Sequence, residues 1–263
     1  MKTILICHSE HILFKVGLSK WLASFSDLVG LVVIQEKKFT MLKKRLSWEI
    51  GRIGLIRLFD VLLFRVYYKL FLSFMDQKWE KRKLQELVQY YPDNGNLMDT
   101  IYTTNPNDNA VAHFIKSRNP DIMFSQCKFL LKESIFKIPS KGTFVMHPGI
   151  CPEYRNIHGS FWAIVNNDLS RVGMSLIKID RGIDSGQIFG YFTYSFNAKK
   201  ESHVVIEYNV ILENLEQIKN KLFQICDGVA KPEDTSNRIT KKWGQPWLSK
   251  YLKWKCRNFS WNG

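Results

Sequence analysis

The chain has 263 residues, of which 45% are hydrophobic and 14% aromatic. This composition excludes a disordered protein, and the length predicts one large domain or two small ones with a sizeable buried core. The formal net charge of +14 favours polyanionic partners: nucleic acid, an anionic membrane surface or a phosphorylated substrate. The charge alone does not choose among them.

The first 35 residues have the pattern of a βαβ unit. Residues 3–7 form a short apolar run, residues 11–24 have apolar residues at helical spacing, and residues 28–35 return to a buried-strand pattern. This order predicts two parallel strands connected by a helix. No G-x-G-x-x-G motif follows the first strand, so the sequence does not support a dinucleotide site.

Residues 40–91 interrupt the strand pattern with a long apolar and basic segment. Four charged residues fall within its most apolar part, residues 54–75, and they argue against a transmembrane helix. Between residues 43 and 83 there are 11 lysines and arginines but 4 acidic residues. The pattern predicts one or two long helices. They either form an insertion packed on the main domain or on a second subunit, or they lie in the interface of a membrane.

A sheet pattern resumes after Pro92. The predicted strands are residues 98–104, 120–127, 142–149 and 172–180, with helices at 107–119 and 157–168 and a helical turn at 130–139. Ligand sites in open parallel sheets lie beyond the carboxyl ends of the strands, so we expect His147 and the Asp180–Asp184 loop to lie at such ends. The predicted fold class is α/β: a Rossmann-like, open and mostly parallel sheet with a helical insertion at about 40–91 and a short C-terminal extension.

We expect residues 1–200 to form the α/β domain and residues 201–263 to form the extension. From residue 238 onward the chain has seven lysines and arginines and no acidic residue, together with Trp243, Trp247, Trp254 and Trp261. Such a segment either packs its tryptophans on the main domain or grips nucleic acid or a membrane surface.

The cysteines argue against a metal site and against a disulfide framework. They are far apart and no C-x-x-C pair occurs, so we expect reduced thiols, no bound metal and a cytoplasmic protein. The five are Cys7, Cys127, Cys151, Cys226 and Cys256. The apolar run at residues 3–7 is too short for a signal peptide.

Two stretches together resemble the formyltransferase family, which includes methionyl-tRNA formyltransferase, glycinamide ribonucleotide transformylase and the sugar N-formyltransferases. They are HPGICPEYRNIHGSFWAI at 147–164 and VGMSLIKIDRGIDSGQIFGYF at 172–192. The matched residues are His147, Pro148, Pro152, Tyr154, Arg155, Trp162, Ala163, Asp180, Gly182, Asp184 and Gly186. The resemblance covers roughly residues 1–38 and 98–195.

The resemblance implies a Rossmann-like enzyme that passes a formyl group from N10-formyltetrahydrofolate to an amine. In this sequence the catalytic roles would fall to His147 and Asp184. A histidine with a pKa near neutrality suits the proton transfers and can polarise the formyl oxygen, while a nearby aspartate favours the charged imidazole. The alternatives are a structural histidine at a strand end and an aspartate that forms a turn.

The family pattern Asn-x-His has valine, Val145, in place of the asparagine. That asparagine amide helps to bind the oxyanion, and a valine side chain cannot donate a hydrogen bond. The candidate stand-ins are Gln126, Asn156 and His158. His158 is equally suited to an acceptor site and Asn156 to a turn.

The resemblance also implies donor contacts that sandwich the pterin. They would come from Phe129, Leu130, Leu131, Ile179, Asp180 and Ile183. The alternative for each apolar residue is an ordinary place in the core.

The stretch HGSFWAI resembles the sugar-modifying branch of the family, so the expected acceptor is an amino sugar, in particular a nucleotide-linked one. About 60 residues follow the catalytic half, too few for the C-terminal barrel of the tRNA enzyme, which argues against a nucleic acid partner.

Val145 leaves an alternative class of function open: a non-catalytic or altered-chemistry binding protein at a membrane surface. The expected partners are a small amine, a second copy of the chain and an anionic membrane, in a cytoplasmic or membrane-associated protein.

Overall fold

A seven-stranded sheet forms the centre of the molecule. The computed structural model describes residues 1–35, 38–92 and 98–259. The strands are β1 (Lys2–His8), β2 (Asp27–Ile34), β3 (Thr100–Thr103), β4 (Ile122–Gln126), β5 (Gly142–His147), β7 (Gly173–Lys178) and β8 (Ile188–Thr193). Their order is β3-β2-β1-β4-β5-β7-β8, and a separate ribbon pairs β6 (Arg155–Asn156) with β9 (Lys242–Trp243).

The central strands are buried along almost their whole length because helices cover both faces of the sheet. In β1, Leu5 belongs to one buried cluster, whereas Ile4 and Ile6 belong to another. Successive strand residues point to opposite faces, so a strand that is buried on both sides needs no polar alternation. The predicted class, an open and mostly parallel α/β sheet, is confirmed by this arrangement.

Nine α-helices flank the sheet and ribbon in the described ranges. They are α1 (Ser19–Ala23), α2 (Lys38–Tyr67), α3 (Ser73–Tyr90), α4 (Asn109–Arg118), α5 (Glu133–Phe136), α6 (Gly159–Val165), α7 (His203–Leu212), α8 (Leu215–Cys226) and α9 (Leu248–Phe259). A π-helical turn at Leu13–Leu18 precedes α1, and another at Tyr68–Leu72 joins α2 to α3. Helix α2 breaks at Gly54, whose φ of 76° is a conformation that favours glycine.

The direction of β7 determines how the loop after it approaches His147. Strands β1 to β5 are parallel in their pairings, but β7 runs antiparallel to β5, with His147 opposite Ser175 and Phe144 opposite Lys178. The end of β7 therefore lies beside the middle of β5 and not beyond its carboxyl end. The Asp180–Asp184 loop follows the carboxyl end of β7, as expected, and it lines the same cleft as His147. It reaches that cleft by folding back over the sheet, because β7 does not run parallel to β5.

The C-terminal residues reach the site through the small ribbon. Trp243 stacks on Trp162 of α6 with ring centroids 4.7 Å apart, and the Trp162 indole donates a hydrogen bond to the Gly244 carbonyl at 2.8 Å. The ribbon pairs Trp243 with Asn156, in the loop that follows β5. Within the described ranges, no helix has the length and hydropathy needed to span a bilayer.

Candidate active site

A cleft of about 360 Å³ opens where β1, β4 and β5 end and the loop after β7 folds over them. Its wall includes His8 from β1, Ser125 from β4, and Val145 and His147 from β5. Asp184 from the folded-back loop closes the opposite side. A volume of this size and a mostly apolar wall with a few convergent polar groups are typical of small-molecule sites.

A tight turn after β5 holds the His147 ring in place. The Nε2–H group donates to the Tyr154 carbonyl at 2.7 Å, and only 4% of the residue is exposed. This return of the chain requires Gly149, because a Cβ there would lie 2.5 Å from the Tyr154 oxygen and 2.8 Å from His147 Nε2. The sequence His-Pro-Gly therefore places the imidazole and its backbone acceptor against each other.

The Asp184 carboxylate faces the other ring nitrogen. Its Oδ2 lies 3.6 Å from His147 Nδ1 and accepts a hydrogen bond from the Asn156 backbone at 2.8 Å. Asp184 has a φ of 47°, Asn156 of 79° and His158 of 58°, so both loops of the site contain left-handed backbone at non-glycine residues. Such conformations persist where surrounding contacts enforce them, and they concentrate at functional sites.

The loop that carries Asp184 is clamped from two sides. Arg155 Nε donates to the Ile183 carbonyl at 2.9 Å, and Arg155 Nη1 donates to Thr240 Oγ1 at 2.8 Å. Within the loop, Asp180 accepts hydrogen bonds from the Gly182 backbone at 2.9 Å and from the Ser185 hydroxyl at 2.8 Å. Asp180 thus shapes the turn that presents Asp184, in addition to lining the cleft.

The site favours the imidazolium form of His147. Burial by itself disfavours the charged ring, but the negative charge of Asp184 and the Cys151 and Tyr154 contacts outweigh it and raise the pKa of His147 to about 10. Because the Tyr154 oxygen can only accept, Nε2 keeps its proton. The added proton therefore lies on Nδ1, the nitrogen that faces Asp184.

Val145 lies on the same face of β5 as His147, two residues away. It lines the cleft and packs in a small apolar cluster with Ile177, its partner on β7. No hydrogen bond donor therefore enters the cleft from the position of the family asparagine.

The three predicted stand-ins occupy different surroundings. Gln126 and Asn156 line the cleft, but Gln126 Nε2 lies 3.4 Å from the Met146 carbonyl and Asn156 Nδ2 donates to the Trp243 carbonyl at 2.5 Å. His158 is not among the residues that line the described cleft, and its Nδ1 lies 3.0 Å from both carboxylate oxygens of Glu207. The structure therefore brings two of the three to the site and holds the third with a partner on α7.

All the residues expected to contact the donor line this one cleft. They are Phe129, Leu130, Leu131, Ile179, Asp180 and Ile183. Leu130 is 56% exposed and Ile183 37% exposed, so these two are apolar surface at the mouth of the cleft rather than core. Leu131 is buried and also packs in the core.

His8 and Ser125 also line the cleft, although neither was predicted from the sequence to be a site residue. His8 ends β1, where its Nε2 accepts a hydrogen bond from the Lys128 backbone at 2.9 Å and its ring stacks near Phe129. A histidine at the carboxyl end of the first strand of a parallel sheet was a readable signal. Ser125 gave no such signal, because its place depends on the register between β4 and β5.

No protein-family model matches the chain. Among curated proteins, ArnA of Wigglesworthia glossinidia brevipalpis, a bifunctional polymyxin resistance protein, is 30% identical over 135 residues, or 51% of this chain and 18% of that protein. The methionyl-tRNA formyltransferase of Azobacteroides pseudotrichonymphae is 34% identical over 74 residues, or 28% of this chain and 22% of that enzyme. The matches thus span about a fifth of the length of these relatives.

Solved structures of formyltransferases share the fold over most of the chain. A sugar N-formyltransferase from Shewanella sp. FDAARGOS_354 covers 93% of this chain and 76% of its own, with 11% identity and a TM-score of 0.53. A phosphoribosylglycinamide formyltransferase from Anaplasma phagocytophilum covers 94% and 99%, with 9% identity and a TM-score of 0.55. An N-formyltransferase from Helicobacter canadensis, in complex with folinic acid and dTDP-3-aminofucose, covers 92% and 70%, with 16% identity and a TM-score of 0.50. The resemblance indicated by the motifs is confirmed.

Proposed function

From the formyltransferase fold and the sequence similarity to formyltransferases, we propose that this chain transfers a formyl group from N10-formyltetrahydrofolate to a primary amine. The observation that carries the proposal is the pair formed by the buried His147 and the half-buried Asp184 at the head of an apolar cleft. A histidine whose pKa is strongly perturbed by a specific charge partner, and which lines a cleft, is a candidate for catalysis.

The cleft suits the folate donor, which supplies an activated formyl carbon. Phe129, Leu130 and Ile183 offer apolar surface for a flat ring, and backbone groups of the two loops can read its polar edge. A sugar 3N-formyltransferase with a TM-score of 0.50 was solved with dTDP and 5-N-formyl-THF, and the Helicobacter enzyme with folinic acid. These relatives support the choice of a folate as donor.

The reaction requires stabilisation of negative charge on the formyl oxygen. The amine forms a new C–N bond to the formyl carbon, the bond from that carbon to N10 breaks, and one proton passes overall from the amine to N10. The His147 imidazolium stabilises the developing oxyanion, and Asp184 keeps the ring charged. The close packing of Tyr154 and Gly149 against His147 fixes the orientation of the imidazolium.

Ser125 supplies the neutral donor that Val145 lacks. Strand β4 pairs with β5 through Phe124 opposite Phe144, and one further step of this register puts Ser125 beside Val145 on the same face. The Ser125 hydroxyl lies 3.3 Å from Cys127 Sγ, a weak acceptor, so its proton can rotate to a better one. It lines the cleft and is 2% exposed.

We therefore expect Ser125→Ala to lower kcat for formyl transfer by roughly 10²-fold, with KM for the donor nearly unchanged. Steady-state release of tetrahydrofolate measures both constants. Ser26→Ala is the matched control, because Ser26 makes its hydroxyl contact with Thr3 at the far end of β1. Equal activity of the two variants would show that Ser125 has no part in the transition state.

Val145→Asn restores the family residue on the correct face of β5. We expect it to raise formyl transfer or leave it unchanged, because the amide would point into the cleft with His147. The same assay, with Val145→Ala as a size control, separates the effect of the new donor from that of the smaller wall. A large loss in Val145→Asn alone would mean that the site has been rebuilt around valine.

The acceptor that the site favours is an amino sugar linked to a nucleotide. The anionic diphosphate of such a compound suits the net charge of +14, and the Helicobacter relative was solved with dTDP-3-aminofucose. His158, held by Glu207, lies in the loop between the catalytic turn and α6, where it can contact the acceptor. This choice fits the sugar-modifying form of the motif in that loop.

The function is tested with purified full-length chain, N10-formyltetrahydrofolate and a panel of free and nucleotide-linked amino sugars. We expect tetrahydrofolate release and a formylated product with at least one member of the panel.

The second candidate function is that of a binding protein without catalysis. The observation in its favour is Val145, which provides no hydrogen bond donor for the oxyanion. Folate binding by calorimetry with no turnover on any amine would support that second function.

A further inference from the structure

Helices α2 and α3 have a second apolar face that the described residues of the chain leave exposed. Ten large apolar side chains between residues 55 and 75 are each between 38% and 89% exposed. They are Leu55, Ile56, Phe59, Leu62, Leu63, Val66, Leu70, Phe71, Phe74 and Met75. At roughly 100 Å² of exposed surface each, they expose on the order of 1,000 Å² of apolar surface in total. The largest patch on a typical soluble monomer is about 300–600 Å².

Five of the exposed side chains follow one another along one face and form a stripe. Leu55, Phe59, Leu62, Val66 and Leu70 follow one another at intervals of three or four residues, the spacing of one helical face. Within α2, at 3.6 residues per turn, the charged residues Arg57, Asp60 and Arg65 fall outside this stripe. The part of the stripe that lies on α2 is therefore apolar.

The opposite face of α2 is fixed to the folded domain. Phe64 is buried and packs against Tyr251 of α9, with ring centroids 5.3 Å apart. The Arg57 guanidinium lies over the Trp247 ring at 5.3 Å, and the Asp60 carboxylate accepts hydrogen bonds from the backbone and hydroxyl of Ser249. The stripe consequently points outward with no rearrangement of the domain.

Positive charge borders the stripe. Arg65 on α2, Lys69 in the π-helical turn and Lys78 on α3 come from the same stretch of chain as the stripe, and all three side chains are exposed. The acidic residue within this part of α2, Asp60, is directed to α9. Long basic side chains beside an apolar helix face can extend to anionic headgroups while their methylene groups stay on the apolar surface.

We propose that this face seats the chain on an anionic lipid surface. Charge complementarity selects lipid over a second copy of the chain. Two copies paired through the stripe would bring Arg65 and Lys69 close to the same cations of the partner, at a net charge of +14 each. Anionic headgroups meet the same border with opposite charge, and the apolar side chains enter the headgroup and acyl boundary to a depth of about 5–10 Å.

The test is flotation of the full-length chain with vesicles of phosphatidylcholine containing 30% phosphatidylglycerol, about a third anionic lipid as a working composition. We expect the chain to float with these vesicles at low salt, and to float at least about tenfold less at 0.5 M salt or with phosphatidylcholine alone, because screening weakens the charge contribution. A chain that remains in the soluble fraction at low salt overturns the proposal.

Two sets of variants locate the surface. The triple variant Phe59→Ser, Leu63→Ser, Phe74→Ser changes exposed residues, so it should keep the thermal unfolding transition and lose flotation by at least about tenfold. Val229→Ser with Ile239→Ser removes exposed apolar residues elsewhere and should float as the wild type does. Equal flotation of the triple variant and this control overturns the assignment of the face.

A charge variant and a mass measurement separate lipid from a second copy. Arg65→Glu with Lys69→Glu leaves the apolar stripe intact and should abolish the preference for anionic vesicles. Sedimentation without lipid should give a monomer for the wild type. A wild-type dimer that the triple variant converts to monomers would overturn the proposal in favour of pairing between copies.

Discussion

Glutamine in place of His147 should lower kcat/KM for formyl transfer by roughly 10³-fold. The glutamine amide can still donate to the Tyr154 carbonyl that His147 Nε2 contacts at 2.7 Å, so the turn retains its internal hydrogen bond. It cannot carry the positive charge that Asp184 maintains on the imidazole. The loss should therefore appear in the chemical step, as a fall in kcat with little change in donor affinity.

The measurement is single-turnover formyl transfer, with folinic acid affinity followed by calorimetry as a check on the cleft. His113→Gln is the matched control, because His113 is exposed on α4. We expect the control to retain wild-type rates. A His147→Gln variant that kept more than a tenth of the activity would place the catalytic charge elsewhere.

The strands that carry the site, and the position of His147 at the end of one of them, could be predicted from the sequence. The apolar runs that became β1, β4 and β5 lack polar alternation because both their faces are buried, and this marks a covered parallel sheet. His147 was singled out because it follows such a run and precedes Pro-Gly. The pairing of His147 with Asp184, 37 positions later, came from the resemblance to a family and not from periodicity.

The direction of β7 could not be read from its residues. A run such as Gly173–Lys178 is apolar whether it pairs parallel or antiparallel, since it is buried in either case. Direction is decided by the connection, and here a short helix, α6, and a 3₁₀ turn return the chain to the edge of β5. The loop with Asp184 consequently approaches His147 across the face of the sheet.

Site residues whose position depends on strand register or on the packing of distant helices could not be predicted from the sequence either. Ser125 becomes a candidate only when β4 is placed against β5, and Glu207 only when α7 is placed against the loop of His158. The apolar character of residues 54–75 was visible, but the pattern did not show which of its two apolar faces the domain would cover. Packing against α9 covers one and leaves the other exposed.

Asparagine in place of Asp184 should change the pH dependence of the reaction as well as its rate. In the wild type, burial alone would lower the pKa of His147, and the carboxylate is chief among the contacts that raise it to about 10. Activity that needs the imidazolium should therefore persist through neutral pH and decline as pH rises toward 10.

Without the carboxylate, burial is opposed only by the remaining contacts, and the pKa of His147 should fall by several units. At pH 7.5 we expect kcat/KM of Asp184→Asn to drop by roughly 10²-fold, with partial recovery on acidification.

The raised pKa of His147 also makes the stability of the fold depend on pH. Because the folded pKa is raised, the pair stabilises the wild type fully below the unfolded pKa of about 6.5, and this contribution declines as pH rises toward 10. Rate profiles and urea unfolding from pH 5.5 to 10 measure both effects, with exposed Asp234→Asn as the control. Superimposable profiles for Asp184→Asn and wild type would mean that Asp184 does not set the charge of His147.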